Sequence, residues 1–224
     1  MFSELGDIFC PQRCLSCGKT DKILCDCCKK NLLKAKADSC LVCGRQLNMQ
    51  GICPNCDLPF SRQCHVGVRG GVLKDLINCY KYQSIRSISF SLADLLSVRI
   101  MNWGLSDAVL VPLPTIAKHI RERGFDHIQR LALCMAKQNI NYAVEPLLSR
   151  ANNCVQVGAS EEVRASQAKT AYVMTNLGFA RGKNYILLDD VWTTGSSMLC
   201  ACNLLAQNGI ATQNIAVAII AKSV

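Results

Sequence analysis

The chain lacks any apolar run approaching the roughly 18 residues that span a bilayer. Its opening Met1–Phe9 carries Glu4 and Asp7 and has no basic stretch ahead of an apolar one. These absences argue against membrane insertion and a secretion signal, and the expected location is cytoplasmic. Charged residues make up only 18% of the 224 positions and half of the chain is apolar, which excludes disorder and implies a sizeable core. Aromatics are 6%, so an extended base-stacking surface has thin support. No Gly-x-Gly-x-x-Gly occurs, and Gly178-x-x-x-Gly182-Lys183-Asn184 is one residue short of a Walker loop and lacks its Ser/Thr. Dinucleotide and nucleoside-triphosphate cradles are therefore set aside.

What is abundant is cysteine and positive charge. There are 16 cysteines, and 25 Lys and Arg against 16 Asp and Glu give a net charge of +9. In a reducing compartment the cysteines need a role other than disulfides. Eleven of the 16 lie in residues 1–64, and eight of these form four Cys-x-x-Cys pairs: Cys14/Cys17, Cys25/Cys28, Cys40/Cys43 and Cys53/Cys56. Two such pairs complete a closed tetrahedral Zn²⁺ site, so two structural zinc ions are expected. Gly18 and Gly44 follow the first and third pairs, where a tight turn can aim backbone N–H groups at sulfur, whereas the other two pairs lack glycine. The segment reads as one unit repeated, with ligand sets Cys14, Cys17, Cys25, Cys28 and Cys40, Cys43, Cys53, Cys56. A crossed pairing, first with third and second with fourth, also satisfies two ions. Cys27, beside Cys28, is an alternative ligand by register. Four copies without a strand–helix context do not fit a thioredoxin-type redox pair.

A linker is expected at Asp57–Cys64, around Pro59, dividing a zinc module (residues 1–60) from a larger domain (61–224). Beyond it the pattern predicts helices over Ser84–Met101, Phe125–Asn139 and Ser197–Asn208, and strands over Ala108–Leu113, Tyr185–Leu188 and Ile215–Ala221. This alternation predicts an α/β domain with a mostly parallel sheet flanked by helices, whose ligands bind beyond the strands' carboxyl ends.

At the end of the Tyr185 strand comes Leu187-Leu188-Asp189-Asp190-Val191-Trp192-Thr193-Thr194-Gly195-Ser196-Ser197. Adjacent carboxylates at a strand end can accept hydrogen bonds from neighbouring hydroxyls. The hydroxyl-rich loop that follows leads into a helix, and its amides, hydroxyls and helix dipole make an anion cradle. A sugar phosphate suits both parts. The bland alternative, a strand end followed by a helix cap, accounts for one or two of these positions.

This stretch resembles the phosphoribosyl-pyrophosphate (PRPP) motif of type I phosphoribosyltransferases, and the whole chain resembles the ComF family, in which a double zinc ribbon precedes such a domain. The resemblance implies that Asp189 and Asp190 hold the ribose hydroxyls and that Thr193, Thr194, Gly195, Ser196 and Ser197 bind the 5′-phosphate, with Mg²⁺ accompanying PRPP. Val111-Pro112-Leu113-Pro114 matches the pyrophosphate loop, and Arg121-Glu122-Arg123-Gly124-Phe125 matches a family signature. Lys118, Arg121 and Arg123 are then candidates for the pyrophosphate side. Asp126-His127 stands where the family usually has Asn-Gln, which puts an imidazole near the site. Gln156, Arg164 and Ala171-Tyr172 fit the family's loop, with Gln167 and Tyr172 in place of Asn and Phe.

Two functions follow from the resemblance. One is a protein of DNA uptake and natural transformation that handles incoming single-stranded DNA, with competence-machinery partners. Its phosphate contacts would come from residues near Lys118–Arg130 and from Lys74, Lys81 and Arg86 around Tyr80 and Tyr82. The other is an active phosphoribosyltransferase transferring phosphoribose from PRPP to an unidentified acceptor. Residues 1–64 carry 9 basic and 6 acidic side chains, and residues 65–224 carry 16 and 10. Eight thiolates around two Zn²⁺ bring about −4 to the first segment, so the positive charge resides in the sugar-phosphate domain.

Overall fold

The computed structural model describes residues 13–34, 38–105, 107–151, 171–175, 180 and 182–223. Gln156, Arg164, Gln167 and Gly178, singled out above, lie outside the described residues.

Three strands carry long apolar runs: β2 (Ala108–Pro112), β6 (Asn184–Trp192) and β7 (Ile215–Lys222). Such runs suit strands covered on both faces. With β1 (Arg62–Val68) and β3 (Tyr142–Val144) they form a parallel sheet in the order β1-β7-β6-β2-β3. On β6 the side chains alternate between two cores. Ile186 and Leu188 enter one, and Tyr185 and Leu187 enter the other.

The first core is closed by three helices, α2 (Gly71–Tyr82), α3 (Ile88–Met101) and α5 (His127–Gln138), through residues such as Leu76, Leu92 and Leu131. The second is closed by α6 (Ser196–Gln207) and by an antiparallel hairpin of β4 (Leu148–Arg150) with β5 (Tyr172–Met174). A short helix, α4 (Ala117–Arg123), follows β2 and buries no residue. Among the described residues no helix is long and apolar enough to cross a membrane.

The amino-terminal part packs against both cores. Helix α1 (Asp26–Lys34) starts inside the second cysteine pair, and Leu24, Cys25 and Cys28 join the first core. Leu41 and Phe60 join the second. The edge strand β1 is covered in the process. Gln63 N donates to Gly51 O at 2.9 Å, its side-chain oxygen accepts from Leu41 N at 2.8 Å, and Lys222 Nζ donates to Cys40 O at 2.9 Å. Covering the edge removes a template for unwanted strand pairing.

This corrects the expected linker. Arg62–Cys64 already belong to β1, and Phe60 is buried, so only residues before it connect the two parts. Gln63, His65 and Gly67 interrupt the apolar character of the strand, which hid it. All six predicted elements are present within a few residues of their expected bounds. The strand at Tyr185 extends on through both aspartates to Trp192.

The strand order fixes where a ligand fits. After β2 the chain adds β3 on one side, and after β6 it adds β7 on the other. The crevice between the carboxyl ends of β2 and β6 is therefore a topological switch point, where open α/β sheets bind ligands.

Candidate functional site

At this switch point a cavity of about 250 Å³ opens. Its floor is the end of β6, where register pairing with β2 stops at Pro112↔Leu188 and Asp189 and Asp190 run on beyond it. Alternation sends the two carboxylates to opposite faces. Asp190, 6% exposed, turns toward the first core and meets Lys81 Nζ at 2.5 Å, from the last turn of α2, and His127 Nε2 at 2.7 Å, from the start of α5. Burial alone would push the Asp190 carboxyl up, but the His127 hydrogen bond and the Lys81 charge hold it well below the usual carboxylate range. Asp189 faces the other way. Burial first, and then the neighbouring Asp190 charge, pushes it up to about 7.

The far wall comes from β4 and β5. Arg150 Nε donates to Pro114 O at 3.0 Å, and its guanidinium lies over the Tyr172 ring at 5.4 Å from the centroid. This ties the hairpin to the loop after β2, itself fixed by Leu113 N donating to Leu188 O at 3.0 Å. Arg123, from the last turn of α4, completes the cationic lining. Lys81, Arg123 and Arg150 thus line the cavity together with the two aspartates.

Beyond β6 the chain turns through Thr193–Gly195 into α6 and encloses a second, smaller cavity of about 60 Å³. Asp189 and Ser197 line both cavities, so the two adjoin. Gly195 opens the helix with φ +75°, and a Cβ there would lie 2.1 Å from the Trp192 ring. Only glycine fits that turn. The hydroxyl-bearing Thr193, Thr194, Ser196 and Ser197 are exposed, Thr194 Oγ1 lying 3.0 Å from Ser196 Oγ. Gly195 brings no side-chain cap, and the amino terminus of α6 faces an anion-sized space ringed by hydroxyls.

The structure therefore brings together Asp189, Asp190, Arg123 and Ser197 in one cavity, with Thr193, Thr194, Gly195 and Ser196 in the adjoining one. Lys118 and Arg121 do not line either cavity. Both are exposed, and Lys118 Nζ sits 3.8 Å from Glu122 Oε1. The position between them, His119, does reach the cavity. Sequence reading missed Arg150 altogether, and it placed Lys81 among DNA contacts, whereas the lysine pairs with Asp190. Tyr80, also assigned there, is 1% exposed, its hydroxyl donating to His127 O at 2.7 Å, and has no face free for a base.

The cysteines settle into two clusters, Cys14, Cys17, Cys25, Cys28 and Cys40, Cys43, Cys53, Cys56, with the ligand atoms of each within 4.8 Å of one another. This is the consecutive pairing, and Cys27 is outside it. In both, the glycine turn is the same: Gly18 N donates to Cys14 O at 2.8 Å and Gly44 N to Cys40 O at 3.0 Å, with φ of +74° and +73°. Backbone N–H groups of the turn, at Ser16 and Cys17, reach the Cys14 sulfur, and Cys25 N of the second pair donates to it as well at 3.4 Å. Four convergent soft thiols with backbone donors behind them fit Zn²⁺, and each cluster can hold one ion in a closed site.

No family model matches the chain. It is similar to Competence protein ComFC of Bacillus subtilis (strain 168), with 26% identity over 207 aligned residues that cover 85% of this chain and 81% of that protein. The similarity to ComFC thus runs along most of a chain in which paired four-cysteine clusters precede a five-stranded parallel sheet.

Proposed function

We propose that the two adjoining cavities bind a 5-phosphoribosyl ligand of the PRPP type, within a competence-related role in the uptake of DNA. The observation that carries the ligand reading is the placement of Asp189 and Asp190 directly beside the Thr193–Ser197 turn. A diol acceptor and an anion cradle stand there side by side at the switch point of the sheet, with Asp189 and Ser197 lining both cavities. Lys81, Arg123 and Arg150 supply the positive charge that a pyrophosphate requires. Similarity to ComFC supports the competence-related role.

In this reading the 5′-phosphate sits on the turn before α6, held by amides and hydroxyls, and the ribose hydroxyls reach toward the end of β6. The pyrophosphate lies toward Arg123 and Arg150. Mg²⁺ would enter with the pyrophosphate as its counter-ion, since the two cysteine clusters are the only groupings of three or more candidate metal ligands among the described residues. Handling of single-stranded DNA in the cytosol would draw on the exposed cations Lys74, Arg86, Lys118 and Arg121. The second reading, transfer of phosphoribose to an acceptor, is favoured by the open side of the larger cavity, where the exposed Tyr82 and Ile116 leave room beside the sugar.

Calorimetric titration with PRPP, ribose 5-phosphate and inorganic phosphate tests the ligand reading. PRPP is expected to bind tightest and to lose affinity in Asp190→Asn. Equal, weak binding of all three, or none, overturns it. Pyrophosphate release in the presence of bases or amines separates turnover from binding alone.

A further inference from the structure

Two charged groups of the cavity are joined through a single imidazole. His127 is the first residue of α5 and only 5% exposed. Its Nε2 lies 2.7 Å from Asp190 Oδ2, and its Nδ1 lies 3.0 Å from Arg123 Nη1. A guanidinium only donates, so Nδ1 must be the acceptor of that bond. The ring's one N–H is then on Nε2, where the carboxylate accepts it. Thr115 Oγ1, 3.4 Å from Nδ1, spends its proton on Asp126 Oδ1 at 3.0 Å and leaves Nδ1 to the arginine.

The ring is held from every side. Asp126 caps α5, accepting from Ile128 N at 3.0 Å and Gln129 N at 3.1 Å, which fixes the start of the helix. From α2, Tyr80 donates to the His127 carbonyl and meets the imidazole edge-on at 6.1 Å between centroids. Also from α2, Lys81 meets the same Asp190 oxygen that His127 does. Both cationic or N–H partners thus occupy Oδ2, and Oδ1 has no partner among the described residues.

The geometry points to His127 as a positioning residue: a neutral, two-ended link that accepts from Arg123 and donates to Asp190. It holds the guanidinium and the carboxylate in one fixed relation and leaves Asp190 Oδ1 for a ligand hydroxyl. This rests on the phosphoribosyl reading for what the two ends meet, the diol on Asp190 and the pyrophosphate on Arg123. The link itself is a property of the free protein. It carries no proton to the ligand; its effect is preorganisation, which lowers the ordering cost of binding.

Glutamine also offers one donor and one acceptor at its tip, so His127→Gln can remake both bonds, whereas His127→Ala can make neither. In the zinc-loaded full chain, His127→Ala is expected to weaken PRPP binding by about tenfold or more, and His127→Gln to stay within about threefold of the parent. Melting temperature and zinc content serve as controls for folding in both variants. Parent-like PRPP affinity in the alanine variant overturns the proposal, and so does a folded glutamine variant as weak as the alanine one. A second readout needs no ligand. The ¹⁵N spectrum of the free protein, with the His127 signals identified by their loss in His127→Gln, should show Nε2 protonated and Nδ1 unprotonated at neutral pH. Two protonated nitrogens, or a proton on Nδ1, overturn the neutral link. Failure of the parent to bind PRPP overturns the phosphoribosyl reading instead, and the nitrogen spectrum then decides alone whether His127 is such a link.

Discussion

Asp189 and Asp190 are neighbours in the chain and occupy opposite faces of β6, where their environments drive the two carboxyl groups in opposite directions. Asp190 meets Lys81 and His127 and is held ionised, while Asp189, half-buried beside that fixed charge, resists ionisation. One strand end therefore presents a charged carboxylate and a reluctant one, a pair separated by environment and not by residue type.

The pair makes stability depend on pH in a particular way. Asp189 binds its proton more tightly folded than unfolded, so its contribution is present at acid pH and is lost as pH rises from the usual carboxylate range through about 7. Asp189→Asn removes the cost of ionising it. The variant is expected to melt several degrees above the parent at pH 8 and to lose most of that gain at pH 5, as read by calorimetry. A gain that is equal at the two pH values would assign the effect to packing.

Gly195→Ala should dismantle the turn before α6. The new Cβ meets the Trp192 ring at 2.1 Å in a left-handed backbone, and the indole is itself buried and has no room to withdraw. The expected cost is about 1–3 kcal/mol, seen in denaturant unfolding, together with loss of PRPP binding and full retention of zinc.

The legible features were those in which residue type and local spacing suffice. Cys-x-x-Cys pairs declare their ligands because two thiols on one turn converge whatever the rest of the chain does, and the glycine pattern distinguished the consecutive pairing. The Asp189–Ser197 run is likewise local, a strand end feeding a helix start. Lys81, Arg150 and the link through His127 were not legible in these roles. Lys81 and Asp190 are more than a hundred residues apart, and nothing near either signals that α2 ends where β6 does. Arg150 earns its place through a backbone carbonyl at Pro114 and the face of Tyr172, neither of which leaves a periodic trace. Strand β1 was hidden for a related reason: Gln63 and His65 are buried, but their side chains pair with Leu41 and Ser39 of the cysteine module, a compensation visible only after folding.

Because that module packs into both cores, metal removal should reach the sheet. Elemental analysis is expected to find two zinc ions per chain, Cys43→Ser to lower this to one, and Cys27→Ser to leave it at two. Prolonged chelation should lower the melting temperature of the whole chain, since Leu24, Leu41 and Phe60 lose their support. An unchanged melting temperature after both ions are gone would show that the sheet domain stands without them.

Lys81 carries a sharper expectation than any surface cation. Its ammonium is largely buried, 17% exposed at the side chain, and it neutralises a carboxylate that is 8% exposed. Lys81→Met keeps the apolar stem and removes the charge, which leaves Asp190 with the neutral His127 donor alone. Breaking a buried pair from one side costs about 3–5 kcal/mol, because the remaining charge is stranded. The double variant Lys81→Met with Asp190→Asn removes both charges and should recover most of that loss, although PRPP binding stays absent. Chemical denaturation of the parent, the two single variants and the double variant closes a thermodynamic cycle on this pair. A coupling energy near zero would mean that solvent, and not the lysine, holds the Asp190 charge.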